Sequence, residues 1–592
     1  MIMTMMMMID DDENDTSTLS VCRCCCWLLD DIVRDSGDRD HTSKVVVVES
    51  GDMWVATLMY TVYALVGYLG YVVIVHPLYV WAFSPFNAFP GPKPYPFIGT
   101  MYAIKFTTTT TEPERMVNGV RRTLATSNVL SLISTYVAEY KRMYAIHAGP
   151  SPRLVLCHPE TMAPVIRSSS ALSKGPAYSM VHPWLGSGLL LASNPKWEPR
   201  RKALTPAFHF HILSNAHANV AANTKILIQK LADEAGKTSQ SVPYVDIVPF
   251  VTAATLDIIC EAAMNVRINA QNGGDNGYLE DVGAASSLIL RRILTPWYAP
   301  WFLNGWLFEV SALGRETRAV LGRLHEFTGR IIRQRREERS AENNSGRARN
   351  GGGEHQQEVF LDLLMGMRDE EGNPLDDQDI QNEVDTFVFE GHDTTSASIS
   401  WALYLLGSHP EVADAIYEEI REKSPSFARH AAGEGDGTAW VPEESELSSF
   451  PTLLKLLDES HRLYPPVPFV SRIVDADASL SVDGYEIPGN TQLSLNIFAL
   501  HRNPELWDNP HEFDLSRWDE RRESPFAFIP FSAGKRNCIG RKFAEREVRS
   551  VVAAVIAAFE VEGDEEWDVV PQPDLVLRPG AGVPLKLRPR PR

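Results

Sequence analysis

Cysteine is scarce in this chain of 592 residues: there are seven, and four of them crowd together as Cys22, Cys24, Cys25 and Cys26. So few, so unevenly spread, cannot build a disulfide framework, and a reducing compartment is expected. The N-terminal cluster could bind metal or carry acyl chains, but no second Cys/His pair lies at zinc-finger spacing. Positive charge is also short, with 56 Lys and Arg against 76 Asp and Glu and a formal charge of −20. A polynucleotide surface needs clustered Lys and Arg, so no nucleic-acid partner is expected, although a local basic patch is compatible with this balance. From Met53 to Phe83 charge is missing altogether, with no Asp, Glu, Lys or Arg in a stretch rich in Val, Leu, Tyr and Trp. About 20 apolar residues suffice to cross a bilayer. A cleaved signal peptide would have a shorter apolar core and a small-residue cleavage site.

These shortages divide the chain. Residues 1–52 hold 12 Asp and Glu against 4 Lys and Arg, without apolar periodicity, and read as an acidic, disordered extension. Residues 53–83 read as a transmembrane anchor. Residues 84–99 include Phe89-Pro-Gly-Pro-Lys-Pro-Tyr-Pro96, whose alternating prolines stiffen the chain and forbid helix, so a hinge is expected there. Residues 100–592 form the main domain. It reads mostly as helix, broken by polar, glycine-rich inserts at 269–276, 343–353 and 431–437 that are surface loops by composition. Lys and Arg flank the apolar stretch on both sides, so charge alone does not orient it.

What is present is most informative at Phe531-Ser-Ala-Gly534-Lys-Arg536-Asn-Cys538-Ile-Gly540. One cysteine sits in a glycine-bracketed loop with an arginine two positions before it. Such a loop can present a thiolate to a metal while backbone N–H groups and the arginine hold its charge. The pattern Phe-x-x-Gly-x-Arg-x-Cys-x-Gly resembles, at every fixed position, the haem-ligand signature of the cytochromes P-450. The proline-rich stretch after the apolar run is similar to the hinge of the microsomal members.

A second motif lies in Glu383–Leu406, which reads as one helix bounded by Gly407 and Pro410. Phe387, Gly391, Thr394 and Ser398 fall at i, i+4, i+7 and i+11 and share a face. Glycine at 391 would let a flat cofactor approach the backbone, Thr394 offers a hydroxyl, and Asp393 offers a carboxylate for proton relay. The run resembles the oxygen-activating helix of the family, whose acid–alcohol pair handles protons, so the resemblance gives those catalytic roles to Asp393 and Thr394. Glu390 stands where most members have Ala or Gly. Phe-Glu-Gly-His-Asp-Thr-Thr is similar to the fatty-acid ω-hydroxylase clade, in which this Glu can form an ester with a haem methyl group.

Glu459 and Arg462 stand at i, i+3 and can pair on one helical turn. In the family such a pair is buried and joined by an arginine, here Arg517, although Leu515 occupies a position where proline is usual. Haem propionates call for guanidinium or indole donors. The family's Trp-x-x-x-Arg helix is matched by Trp197 and Arg201, and Arg472 and Arg536 complete the set. Phe531 and Cys538 complete the haem-contact residues, with Cys538 as the iron ligand. A helix bearing Trp197 should begin near Lys196, since Pro199 is tolerable only in its first turn. Lys535, Arg541, Lys542 and Arg546 could form the local basic patch that meets an acidic reductase.

The resemblance covers roughly residues 89–592. It implies a mainly α fold with a small β region, haem b between two helices and an N-terminal transmembrane helix. It further implies NADPH used indirectly through a flavin-containing reductase, with cytochrome b5 as a second candidate donor. The expected activity is insertion of one oxygen atom from dioxygen into a C–H bond of a lipophilic substrate, a fatty acid or related lipid at its ω end. The alternatives are a haem-thiolate isomerase or dehydratase of lipid peroxides, or oxidation of steroids, terpenoids or xenobiotics. The expected location is the endoplasmic reticulum membrane, single-pass, with the catalytic domain cytosolic.

Overall fold

The computed structural model describes residues 50–590, apart from 96–98, 101–115, 118–119, 122–126, 149–150, 209, 238–243, 296–304, 345–358, 369–371, 435–436, 521–523, 565–566 and 568. Expectations for residues 1–49, the cysteine cluster among them, and for most of the 343–353 insert lie outside these. The chain divides into two units, Met1–Leu69 and Gly70–Arg592.

In the first unit the described residues belong to α1 (Ser50–Gly70), on which Leu58, Tyr60, Tyr63 and Val66 are exposed. The second unit opens with a π-helical turn at Tyr71–Val75 and α2 (His76–Phe83). The 53–83 stretch is thus helical throughout, but among the described residues no helix is long and apolar enough to cross a membrane. The proline-rich stretch that follows makes contacts on both sides. The Pro90 carbonyl accepts from the Ala145 N–H at 2.7 Å, and the Trp81 indole donates to the Pro94 carbonyl at 3.0 Å. Phe89 stacks on Tyr485 at 4.9 Å. Pro90 thus lies at β1 (Met143–Ala148) and gives its edge a carbonyl partner.

The rest of the second unit is mainly helical with small sheets. After α3 (Ser127–Tyr140), a four-stranded sheet has the order β1, β2 (Ser151–Leu156), β5 (Gln492–Asn496), β4 (Phe469–Ile473), parallel only between β2 and β5. The helices include α4 (Pro159–Arg167), α5 (Trp197–Leu204), α6 (Phe210–Ala235), α7 (Val248–Met264), α8 (Tyr278–Leu294) and α9 (Ala312–Asn344). They continue as α10 (Asp377–Ser408), α11 (Pro410–Lys423), α12 (Pro451–Leu463) and α13 (Arg541–Ala558). A second sheet joins β6 (Phe559–Gly563), β9 (Pro584–Pro589) and β3 (Val245–Asp246), and β7 (Pro571–Pro573) pairs with β8 (Leu577–Pro579).

Helix α10 runs through the middle. Asp376 caps it by accepting the Asp379 N–H at 2.6 Å, so it begins earlier than the motif alone suggests. It is buried nearly all round, as a central helix should be. One cluster around it contains Ile258, Phe327, Phe360 and Val388; another contains Leu403, Leu456, Val551 and Ile556. Each such fully buried side chain stabilises the fold by roughly 1.5–3 kcal/mol. Trp401 fixes its rotation, stacked on Tyr464 at 4.0 Å and donating to the Leu577 carbonyl at 2.8 Å. The fold class is the mainly α one expected, with a small β region.

Candidate active site

A cavity of about 570 Å³ lies between α10 and the cysteine loop, within the size range of ligand pockets. Cys538 opens into it. The loop is shaped by a 3₁₀ turn at Gly534–Arg536 and closed by the Cys538 N–H donating to the Phe531 carbonyl at 2.9 Å. Gly534 has φ +71°, and a Cβ there would strike the Ile166 carbonyl, so only glycine fits. Burial and then the Glu390 carboxylate push the Cys538 thiol up to about 11, against the Gly540 N–H, Arg201 and Arg541, which pull it down. A bound cation is what would hold it as thiolate at neutral pH.

The loop is carried by a saturated clamp. Arg462 and Glu459 form a bidentate pair at 2.8 and 2.7 Å, both fully buried. Arg462 also donates to the carbonyls of His501, Pro510 and Glu512, using all five of its N–H groups. Glu459 also accepts from the Trp518 indole and the Asp514 N–H, both at 3.0 Å, with Arg517 at 3.5 Å. The turn Leu515–Trp518 forms without the usual proline because Asp514 caps it, accepting the Ser516 N–H. His501 links clamp to loop approach, meeting the His461 carbonyl and accepting the Ile529 N–H.

Three guanidinium groups and an indole line one part of the cavity. Helix α5 starts at Trp197, capped by Lys196, and carries Arg201 on its next turn. Arg201 donates to both Asn537 oxygens at 2.9 Å, which ties it to the cysteine loop. Arg536 lies 4.0 Å over the Trp197 ring and donates to the Ala192 carbonyl at 2.5 Å, while its Nε is buried without a partner. Arg472, from β4, is buried and donates to the Ser471 carbonyl at 3.0 Å. Phe531 packs edge-on to His461 at 5.6 Å. Arg200, adjacent to Arg201, faces the other way. It bridges Glu383 and Asp379 at 3.0 and 2.9 Å and so locks α5 to α10.

The α10 wall presents Phe387, Glu390, Gly391, Thr394 and Ser398 to the cavity. The Thr394 hydroxyl donates to the Glu390 carbonyl at 2.8 Å, an ordinary helical back-bond that leaves its lone pairs facing the cavity. Gly391 has a different local reason from the one expected. A Cβ there would collide with Ile259, so glycine permits α7 to approach α10. Asp393 is not among the lining residues. It is held bidentate by Arg578 of β8 at 2.9 and 2.6 Å. Burial pushes the Glu390 carboxyl up to about 7, with Lys174 pulling it down and Glu383 pushing it up. Lys174 itself is lowered by burial and by Arg472 and Arg536. Sequence reasoning missed Arg578, Lys174 and His461, which shares a 3.1 Å hydrogen bond with Ser398 and is lowered to about 4 by burial.

This architecture fits a flat, dianionic, iron-carrying group. A thiol faces it, apolar Leu189, Ile259, Val470 and Phe543 border it, and Arg536 keeps an N–H without an acceptor beside Arg201, Arg472 and Trp197. Among the described residues no cluster of His, Cys, Asp and Glu could hold a metal ion by itself.

Comparison with known proteins gives the same picture. A family model described as Cytochrome P450 matches residues 114–585. The chain is 36% identical over 466 residues to human "Cytochrome P450 4V2", covering 77% of this chain and 85% of that one. It is 34% identical over 513 residues to "Cytochrome P450 4c3" of Drosophila melanogaster, covering 85% and 89%. It is 33% identical over 479 residues to "Cytochrome P450 4A24" of Sus scrofa, covering 80% and 90%.

Proposed function

The chain belongs to the cytochrome P450 family, and from that premise we propose that it is a membrane-anchored monooxygenase hydroxylating a terminal or near-terminal carbon of a fatty acid or related lipid. The family's cofactor is haem b, with electrons from NADPH through a reductase. When bound, haem supplies dioxygen activation and transfer of one oxygen atom to a C–H bond. The observation that carries the reading is Glu390, a carboxyl that lines the cavity from the same helix wall as Thr394.

The residues divide the work. Cys538 ligates iron, and Arg201, Arg472, Arg536 and Trp197 hold the propionates, with Phe531 shielding the sulfur. Thr394 holds a proton at its hydroxyl. Asp393, one residue away and held by Arg578, is the carboxyl of the acid–alcohol pair. With haem bound, Glu390 would be the carboxyl available for an ester to a haem methyl, in which one methyl C–H and the carboxyl O–H give way to a C–O bond and the two electrons pass to dioxygen activated during turnover. Haem that stays with the chain through acid denaturation after sustained turnover would carry that link, and haem wholly released would remove it.

Exposed Leu58, Tyr60 and Val66 on α1, in a stretch without charge, support attachment to the endoplasmic reticulum membrane with the catalytic domain in the cytosol. Arg541 and Lys542 are exposed beside the loop and suit an acidic reductase, although Arg541 pairs with Glu545 at 2.8 Å, Lys535 with Glu198 at 3.6 Å and Arg546 with Glu444 at 2.8 Å. The test is a product screen with purified protein, reductase, NADPH and a panel of fatty acids, steroids, terpenoids and lipid hydroperoxides. Terminal hydroxylation of a fatty acid is expected. Oxidation only at ring carbons, or rearrangement of hydroperoxides without NADPH, would overturn the proposal.

A further inference from the structure

Next to Arg462 of the clamp, α12 carries a histidine whose hydrogen bonds lead out of the clamp and end on the cavity wall. His461 is buried and lines the cavity together with Ser398, Thr394 and Phe531. Its carbonyl meets His501 Nδ1 at 3.2 Å, and its ring lies edge-on to Phe531 of the cysteine loop. Its Nε2 lies 3.1 Å from the Ser398 hydroxyl oxygen. The direction of that bond follows from the groups involved. Ser398 has one hydroxyl proton, which goes to the Thr394 carbonyl at 3.0 Å, a group that can only accept. His461 Nε2 is therefore the donor to Ser398. Burial, with Arg549 and Arg541 adding to it, keeps the imidazole neutral, so its proton sits on Nε2. The order then runs from α12 into α10: His461 N–H to the Ser398 hydroxyl, and that hydroxyl to the Thr394 carbonyl. One turn back, the Thr394 hydroxyl donates to the Glu390 carbonyl at 2.8 Å.

An apolar pair would join α12 to α10 without desolvating an imidazole and a hydroxyl. What a hydrogen bond adds is direction. A helical serine can back-bond to its own helix or turn its hydroxyl elsewhere. A donor held at its oxygen commits Ser398 to the Thr394 carbonyl.

We propose that His461 is a positioning residue for oxygen activation, acting through Ser398 to hold the Thr394 segment of α10 in register with the cysteine loop. This rests on the reading above in which Thr394 handles protons. Hydroxylation takes dioxygen, two electrons and two protons to one hydroxylated product and one water. Dioxygen that takes up the same electrons and protons without O–O cleavage leaves as hydrogen peroxide. A displaced Thr394 hydroxyl shifts the balance toward peroxide.

The test uses full-length holoenzyme, reductase and NADPH, with and without dodecanoic acid, and reads hydrogen peroxide released per NADPH consumed. His461→Leu should raise that ratio about threefold or more and lower dodecanoic acid turnover about tenfold, the worth of one buried hydrogen bond, with KM within about twofold. Haem content and the ferrous–CO spectrum should stay as in the wild type. Ser398→Ala should behave alike, and the double variant should be no worse than either single one. His461→Gln, whose amide nitrogen reaches as far as Nε2, should restore most of the coupling; His461→Asn, reaching only as far as Nδ1, should not. A wild-type ratio in His461→Leu or in Ser398→Ala would overturn the proposal. Loss of haem or of the thiolate spectrum in His461→Leu would assign the residue to packing of the cysteine loop and overturn it too. Thr394→Ala separates the two readings: a raised ratio there beside a wild-type ratio in His461→Leu rejects the positioning role alone, and a wild-type ratio in Thr394→Ala rejects both. Wild-type protein that leaves dodecanoic acid unoxidised counts against the fatty-acid reading alone, because peroxide release needs no organic substrate.

Discussion

The Glu459–Arg462 pair behind the cysteine loop and the central helix α10 treat buried polar groups in contrasting ways. In the clamp every N–H of Arg462 has an acceptor, and Glu459 accepts four hydrogen bonds. Along α10, His392 Nε2 and Asp385 Oδ2 are buried without hydrogen-bond partners among the described residues, as are Glu547 Oε2 on the facing α13 and, at the edge of the clamp, Arg517 Nε. A saturated network specifies one geometry and resists change, whereas unsatisfied groups mark where water, a proton or a ligand belongs. The ion pair behind the cysteine loop is therefore rigid, and Thr394, proposed to handle protons, lies on the adaptable α10.

Breaking the saturated side should have the largest effect. Arg462→Met strips the buried Glu459 carboxylate of its bidentate partner and leaves it only Arg517 at 3.5 Å as a counter-charge, which costs about 3–5 kcal/mol. Thermal unfolding and haem retention measure it, and the double variant with Glu459→Gln should be less damaged than Arg462→Met alone. Equal stability of Arg462→Met and wild type would remove the distinction between the two sides.

On the α10 side, Thr394→Ala should lower NADPH-dependent product formation about 10²-fold, the low end of general acid–base contributions, with haem content and fold intact. Unchanged turnover would take Thr394 out of proton handling.

A smaller effect sharpens the comparison through pH. Burial pushes the Asp385 carboxyl up to about 6, against His325, Thr328 and Gln381, which favour its ionised form. The folded state thus binds this proton more tightly than the unfolded chain. The resulting stabilisation is fully present below about pH 4 and lost as pH rises through about 6, up to about 3 kcal/mol. Asp385→Asn should lack that loss, so unfolding curves of the two proteins should diverge between pH 4 and 7. Parallel curves would show that Asp385 is not held against its charge.

The same contrast explains what could be read in the sequence. The cysteine loop and α10 are local patterns, so Cys538 and Thr394 were each visible within their own short motif. Glu459 and Arg462 share one turn, and their pairing followed from spacing. Arg578 lies 185 residues from Asp393, and Arg200 lies 183 residues from Glu383. No local spacing encodes such partners; they meet only when β8 and α5 pack on α10. His461 carried no signal, because Ser398, the group its ring bonds, lies 63 residues away on another helix. Gly391 was read for its freedom to admit a cofactor, while its immediate neighbour is Ile259 of α7, a packing fact invisible in one segment.

The most direct measurement is the ferrous–CO absorption spectrum of the full-length protein beside that of Cys538→Ala. Thiolate ligation in the wild-type protein and its complete loss in the variant is the result predicted. A thiolate spectrum persisting in Cys538→Ala would contradict the assignment on which the site is built.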